Sequence, residues 1–177
     1  MSTLVIGSHE FPTETLLEFD QDYQDLNAAS FRRTADGSAV IRELWTGKLR
    51  TTISGRGWAP GPIRLLQENT SYLIKCVMPI PVESATTTVT IPAGRRTDSE
   101  HQPVGFAIVN GLMIETPITN IAAINAESTN DATLTAVSGS SGYRVQYAPE
   151  FTGAIRTLRV VGKSTASYDV EIEAEEL

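Results

Sequence analysis

Two histidines, one cysteine and a run of carboxylates are the residues of this 177-residue chain whose types could do chemistry. His9 and His101 stand at no zinc-type spacing and in no nucleophile pattern. Asp98, Ser99, Glu100 and His101 hold the side-chain types of a hydrolytic triad. As immediate neighbours in a polar stretch they are expected to diverge, so that no base reaches the hydroxyl and the segment is a solvated loop. Glu14, Glu18, Asp20, Asp22 and Asp25 are numerous enough for a carboxylate pair, but their polar neighbours offer no apolar pocket to raise one pKa. The sequence DQDYQD also lacks the glycine and terminal glutamate of a helix-loop-helix calcium site. Cys76, within the apolar run YLIKCVMPI, is expected to be a small buried hydrophobe. Gly55-Arg56-Gly57 lacks the Lys-Ser/Thr pair of a phosphate loop, and Pro60 and Pro62 prevent the helix that should follow. These patterns point to no catalytic residue, no metal site and no cofactor, hence to a protein that is not an enzyme.

The placement of charge is more informative than the net value of −7. Residues 1–30 hold six acids and no base, residues 31–64 hold seven bases and two acids, and five acids fall in the last nine residues. Strands that alternate solvated acids with core residues would produce such blocks. Facing acidic and basic surfaces of neighbouring copies would use them to set register and orientation. Phosphate would be repelled by the acidic total, so nucleic acid is not an expected partner. No apolar run approaches the roughly 20 residues needed to span a bilayer, and the N-terminus has neither the basic start nor the apolar segment of a secretion signal. The expectation is a soluble protein made in a cytoplasm, without a membrane partner.

The elements that must position these charges read as strands. Residues 31–62 contain Asp36-Gly37, a tight-hairpin dipeptide, and a second turn candidate at Thr46-Gly47-Lys48. The segments AVIRELW and LRTTIS beside them are β-branched and alternating, so a three-stranded antiparallel meander is expected. A glycine-proline loop follows that carries Arg56 and Trp58, the pair typical of an interface anchor. Residues 3–7, 15–19, 71–78 and 84–91 read as further strands, and residues 95–103 as a polar connection. FAIVNGLMIET places Asn110-Gly111 between two apolar runs, as a type I′ hairpin requires. ATLTAV and YRVQYAPE form a second hairpin, with Tyr143, Val145 and Tyr147 on one face. In YDVEIEAEE, Tyr168, Val170, Ile172 and Ala174 alternate with Asp169, Glu171, Glu173 and Glu175. About ten short strands spaced by turns make an all-β antiparallel sandwich.

The succession FRRTADGSAVIRELW, LRTTISGRGWAPGP, VTIPAGRRTD, GFAIVNGLMIET, GYRVQYAPE and EIEAEEL resembles the tail-tip proteins of long-tailed, noncontractile bacteriophages, most closely the distal tail protein. The resemblance spans most of the chain and rests on order and character, without a catalytic signature. It implies a structural virion protein that forms a homo-oligomeric ring between the tail tube and the hub or fibre proteins, assembled in the cytoplasm of the bacterial host. It implies a β-sandwich platform, here residues 1–92 with 151–177, and a smaller inserted β-hairpin subdomain, residues 93–150. In such a ring Glu14, Glu18, Asp20, Asp22 and Asp25, or the C-terminal acids, would meet Arg32, Arg33, Arg42 and Arg56 of a neighbour, with Trp58 as an anchor. The alternative is a carbohydrate-binding β-sandwich in which Trp45, Trp58 or the Tyr143 and Tyr147 face stacks on sugars, with a host-surface glycan as the candidate ligand.

Overall fold

The computed structural model describes residues 3–13, 18–57, 63–162 and 168–177, without the side chains of residues 29, 31 and 41–46. The strands are β1 (Thr3–Ile6), β2 (His9–Pro12), β3 (Glu18–Arg33), β4 (Ala39–Arg56), β5 (Ser71–Lys75), β6 (Ile80–Ser84), β7 (Thr88–Thr90), β8 (Val104–Val109), β9 (Leu112–Glu115), β10 (Asp131–Thr133), β11 (Ser140–Tyr147), β12 (Glu150–Gly162) and β13 (Tyr168–Glu176). One short helix, α1 (Ile121–Asn125), and a 3-10 turn at Ile63–Leu65 complete the described elements. The chain is all-β and antiparallel, as its alternation and turn spacing require. Among the described residues no helix is long and apolar enough to cross a membrane.

Two compact units divide the chain, Met1–Thr13 with Leu73–Phe151 and Glu14–Tyr72 with Thr152–Leu177. This differs from the expected insertion at residues 93–150. The reason is strand pairing: β6 and β7 precede Pro92, yet they pair with β11 and β10, which follow it. The glycine-proline break at residues 92–94 is therefore a bend inside one unit.

In the first unit a four-stranded sheet in the order β6-β11-β8-β9 and a two-stranded sheet of β10 and β7 share one core, as in a sandwich. Val89, Ala132 and Leu134 meet Ala107, Tyr143, Val145 and Tyr147, with Ile124 of α1 among them. The buried Tyr143 keeps its hydroxyl satisfied, accepting from Val137 N–H (3.0 Å) and Ser140 Oγ (2.8 Å). Asn110 and Gly111 both take positive φ, 52° and 80°, as the hairpin dipeptide predicts. The strand expected over 84–91 is broken, because Ser84 Oγ accepts from Thr86 N–H and Thr86 Oγ1 donates to Thr88 O, which closes a local bend. Cys76 is buried and outside any disulfide.

In the second unit β12, β13, β4 and β3 form consecutive antiparallel pairs. The Asp36-Gly37 turn is present: Gly37 has φ 84°, Asp36 Oδ1 accepts from Ser38 N–H at 3.0 Å, and Thr34 N–H donates to Ser38 O at 3.0 Å. The second expected turn is not a turn. β4 runs straight through Gly47, whose φ of 72° serves a bulge where the register shifts between Leu26 and Ala28, and Asn27 Oδ1 accepts from Gly47 N–H. A left-handed glycine suits either feature, so the expected meander is one long hairpin of 16- and 18-residue strands.

Candidate functional site

The alternation of β13 sorts the second unit into an apolar and a charged face. Ile53, Ile155, Val170, Ile172 and Ala174 are buried, joined by Thr51 and Gln21, whose side chains hydrogen-bond each other at 3.1 Å. The opposite face carries rows fixed by register. Val161, Asp169, Arg56 and Glu18 lie across β12, β13, β4 and β3 in one row, and Arg159, Glu171, Ser54 and Asp20 in the next. These rows line an open concavity of about 880 Å³.

Asp169, Glu171, Glu173 and Glu175 find cations inside the chain, and Glu176 accepts from the Leu49 N–H. Arg50 bridges Glu173 (3.1 Å) and Glu175, Arg156 Nε donates to Glu175 Oε2 at 2.8 Å, and Arg56 and Arg159 lie 4.0 and 3.9 Å from Asp169 and Glu171. Arg56 and the C-terminal acids, expected to meet a neighbouring copy, thus also have partners within the chain. The register places the acids of β13 between Arg50 and Arg56 of β4 and Arg156 and Arg159 of β12. Each exposed pair contributes at most about 1 kcal/mol, so the ladder orients strands more than it stabilises them.

The hydrogen bond from Arg156 holds the Glu175 carboxyl below its ordinary 4.5, against the opposing effect of burial and with help from Arg50. A carboxylate depressed in the folded state stabilises fully above its unfolded pKa, and that contribution is lost as pH falls through the folded value. The melting temperature is therefore expected to fall as pH drops below about 4.5. Glu175→Gln should flatten this slope and lower the melting temperature at neutral pH. Parallel melting-temperature profiles for the two proteins would contradict the assignment.

The remaining interface candidates lie on the long hairpin. Glu18, Asp20, Asp22 and Asp25 are exposed on β3, and none has a salt-bridge cation among the described residues. Arg32 and Arg33 are exposed near the hairpin turn, where Arg33 donates to Gly37 O at 3.3 Å. Arg42 is the backbone partner of Ser30, with its side chain outside the described residues. Glu14 and Trp58 also lie outside the described residues, as does the side chain of Trp45. Tyr143 and Tyr147 are buried, which removes them as a sugar-stacking face.

The stretch read as a polar connection is instead a buried cationic clamp in the first unit. Arg95 is 2% exposed, and its guanidinium donates to Pro92 O, Asn130 Oδ1, Ile124 O and Thr129 O at 2.7 to 2.9 Å. Arg96 ties Asp98 to Thr3 O and Cys76 O. Asp98 and His101 meet at 2.8 Å because residues 98–101 form a turn closed by His101 N–H on Asp98 O. Burial opposes ionisation of Asp98, but Arg96 and His101 outweigh it and hold the carboxyl below its usual range. At neutral pH Asp98 is thus a pure acceptor, which puts the proton on His101 Nδ1. His101 is buried, contrary to the expected solvated loop, while Ser99 is exposed. Among the described residues no group of three or more His, Cys, Asp or Glu could hold a metal ion. No protein-family model and no curated protein matches the sequence.

Proposed function

We propose that this chain is a structural virion protein, assembling as a ring of identical copies at the tail tip of a long noncontractile-tailed bacteriophage. There it would join the tail tube to the hub and receptor-binding proteins. The observation that carries the reading is the hairpin of β3 and β4. β13 covers β4 only from Arg50 to Arg56, so residues 27–48 continue as a two-stranded ribbon with no third strand among the described ones. At about 3.3 Å per residue, Ala39 to Trp45 alone extends roughly 20 Å. A two-stranded ribbon is marginal in water by itself, which favours a role in which other subunits cover it. The whole hairpin carries four acids and no base over residues 18–26 and six bases with two acids over residues 32–56, an asymmetry that a contact between identical copies can use. The resemblance in residue order to distal tail proteins supplies the setting.

Electron microscopy of the purified protein tests the reading. Rings of uniform diameter with a central opening are expected. Fields of single small particles at every protein concentration would overturn it.

A further inference from the structure

β9 is the last strand of the four-stranded sheet in the first unit, and every one of its residues is exposed. Leu112, Met113 and Ile114 are apolar in succession, the composition of a strand covered on both faces, yet they stand 69%, 51% and 46% exposed. The register on β8 decides which backbone groups are open. Val109 and Leu112 are the hydrogen-bonded pair that closes the Asn110-Gly111 turn, and Thr116 N–H donates to Gly105 O at 2.9 Å. Alternation therefore turns the N–H and C=O of Met113 and Glu115 outward, where no strand among the described ones meets them. The other edge of the sheet is blunted, since Pro81 of β6 has no N–H to offer, whereas β9 has neither a proline nor a bulge. Charge is open here too. Ile114 opposes the core residue Ala107, so Met113 and Glu115 lie on the sheet's other face. On that face Arg144 gives Nε and Nη2 to Glu83, while Nη1 has the thioether of Met113 at 3.1 Å, a weak acceptor. Glu115 has no salt-bridge cation among the described residues.

We propose that β9 of a second copy of this chain adds antiparallel to this edge, about a two-fold axis beside Ile114. In that register Met113 of each copy opposes Glu115 of the other, and each such pair exchanges both of its N–H···O bonds. Ile114 then meets Ile114 across the axis. The Glu115 carboxylate is brought beside Met113 of the other copy, where Arg144 Nη1 waits for a better acceptor than sulfur. A two-fold beside Glu115 would oppose like charges, and one beside Met113 would set Glu115 against the turn at Gly111. The edge is thus complementary to itself, as a contact between identical surfaces requires. It rests on the first unit alone and does not depend on the ring reading. Being short, the contact is brief in dilute solution and persists where an assembly already holds copies close together.

Single cysteines under mild oxidation test the proposal, with Cys76 buried away from the reaction. Ile114 residues opposed at a non-hydrogen-bonded position stand about 4.5 Å apart between Cα atoms, within disulfide range. Met113 would lie diagonally from Met113 of the other copy at about 7–8 Å, and Leu112 farther still, both out of range. Ile114→Cys is expected to give disulfide-linked dimers at least about tenfold faster than Met113→Cys or Leu112→Cys, although Leu112 is the most exposed of the three. Adding Glu115→Lys to Ile114→Cys should slow the reaction about fivefold, because a lysine then faces Arg144. Melting temperatures of the reduced variants check that each is folded. Equal rates at the three positions would overturn a second copy as the occupant and leave the edge to a strand of another protein. Fastest reaction at Met113→Cys would move the axis and overturn the pairing of Glu115 with Arg144. Rings without the Ile114 link would overturn this contact alone, and linked dimers without rings would leave it standing.

Discussion

Replacing Arg95 with methionine is expected to lower the unfolding free energy by about 3 kcal/mol, among the largest losses any single side chain here can produce. Its guanidinium holds four oxygens that come from three separate places: Pro92, the C-terminal part of α1 at Ile124, and the segment Thr129–Asn130. Methionine fills much of the volume and removes a desolvated charge, which offsets part of the loss. What it cannot do is donate, so buried acceptors are left without partners at about 1–3 kcal/mol each where water does not reach them. Arg95→Lys keeps the charge but has no planar fork, so it should recover only part of the difference. For a chain of this size a 3 kcal/mol loss corresponds to roughly 6–12 °C in melting temperature. Urea unfolding of the two variants beside the unmodified protein measures it. Equal midpoints would show that these carbonyls are hydrated or paired elsewhere once the arginine is gone.

Gly105→Ala is the second change with a large expected effect, about 2–3 kcal/mol, and here the cause is space. A methyl group at Gly105 would stand 2.7 Å from Leu134 Cδ2, 2.8 Å from Thr116 O and 3.1 Å from Ile118 Cγ1. The carbonyl cannot retreat easily, because Thr116 N–H is bonded to Gly105 O and Thr116 Oγ1 to Thr135 O. Relief would have to come from the register of β8 on β11, where Gly105 opposes Val145 in the core. Gly111→Ala is the useful comparison: nothing lies within 4 Å of its added Cβ, and only its left-handed φ of 80° resists. The expected cost there is about 1 kcal/mol, so the unfolding midpoints should rank Gly111→Ala above Gly105→Ala. The reverse order would mean that the seam between β8 and residues 116–118 relaxes freely.

Local chemistry carried much of the fold into the sequence. Gly37 and Asn110-Gly111 each close a hairpin through left-handed backbone conformations that few other residues allow, and YDVEIEAEE states its buried and exposed faces residue by residue. Gly47 shows where that legibility stops, since a positive φ serves a bulge as well as a turn and only the partner strand decides. The segment from Arg95 to His101 was unreadable for a different reason. Arg95 and Arg96 are buried because carbonyls from Thr3, Cys76, Ile124 and Thr129 converge on them, and that convergence is tertiary. The charge blocks were legible as blocks, but their pairing was not. Whether Arg50 meets Glu175 depends on the register of β13 against β4, which no local pattern specifies. The same register leaves Glu18, Asp20, Asp22 and Asp25 of β3 without a salt-bridge cation among the described residues.

Light scattering of the purified protein at low and at high salt is the most direct measure of self-assembly through those charges. Near 0.1 M salt charges are screened over about 10 Å, and near 1 M over about 3 Å, so contacts between exposed acids and bases weaken sharply across this range. The expected result is one discrete mass at low salt, a whole-number multiple of 19.2 kDa, that falls toward the monomer at high salt. A mass of 19.2 kDa under both conditions would contradict a self-assembling ring.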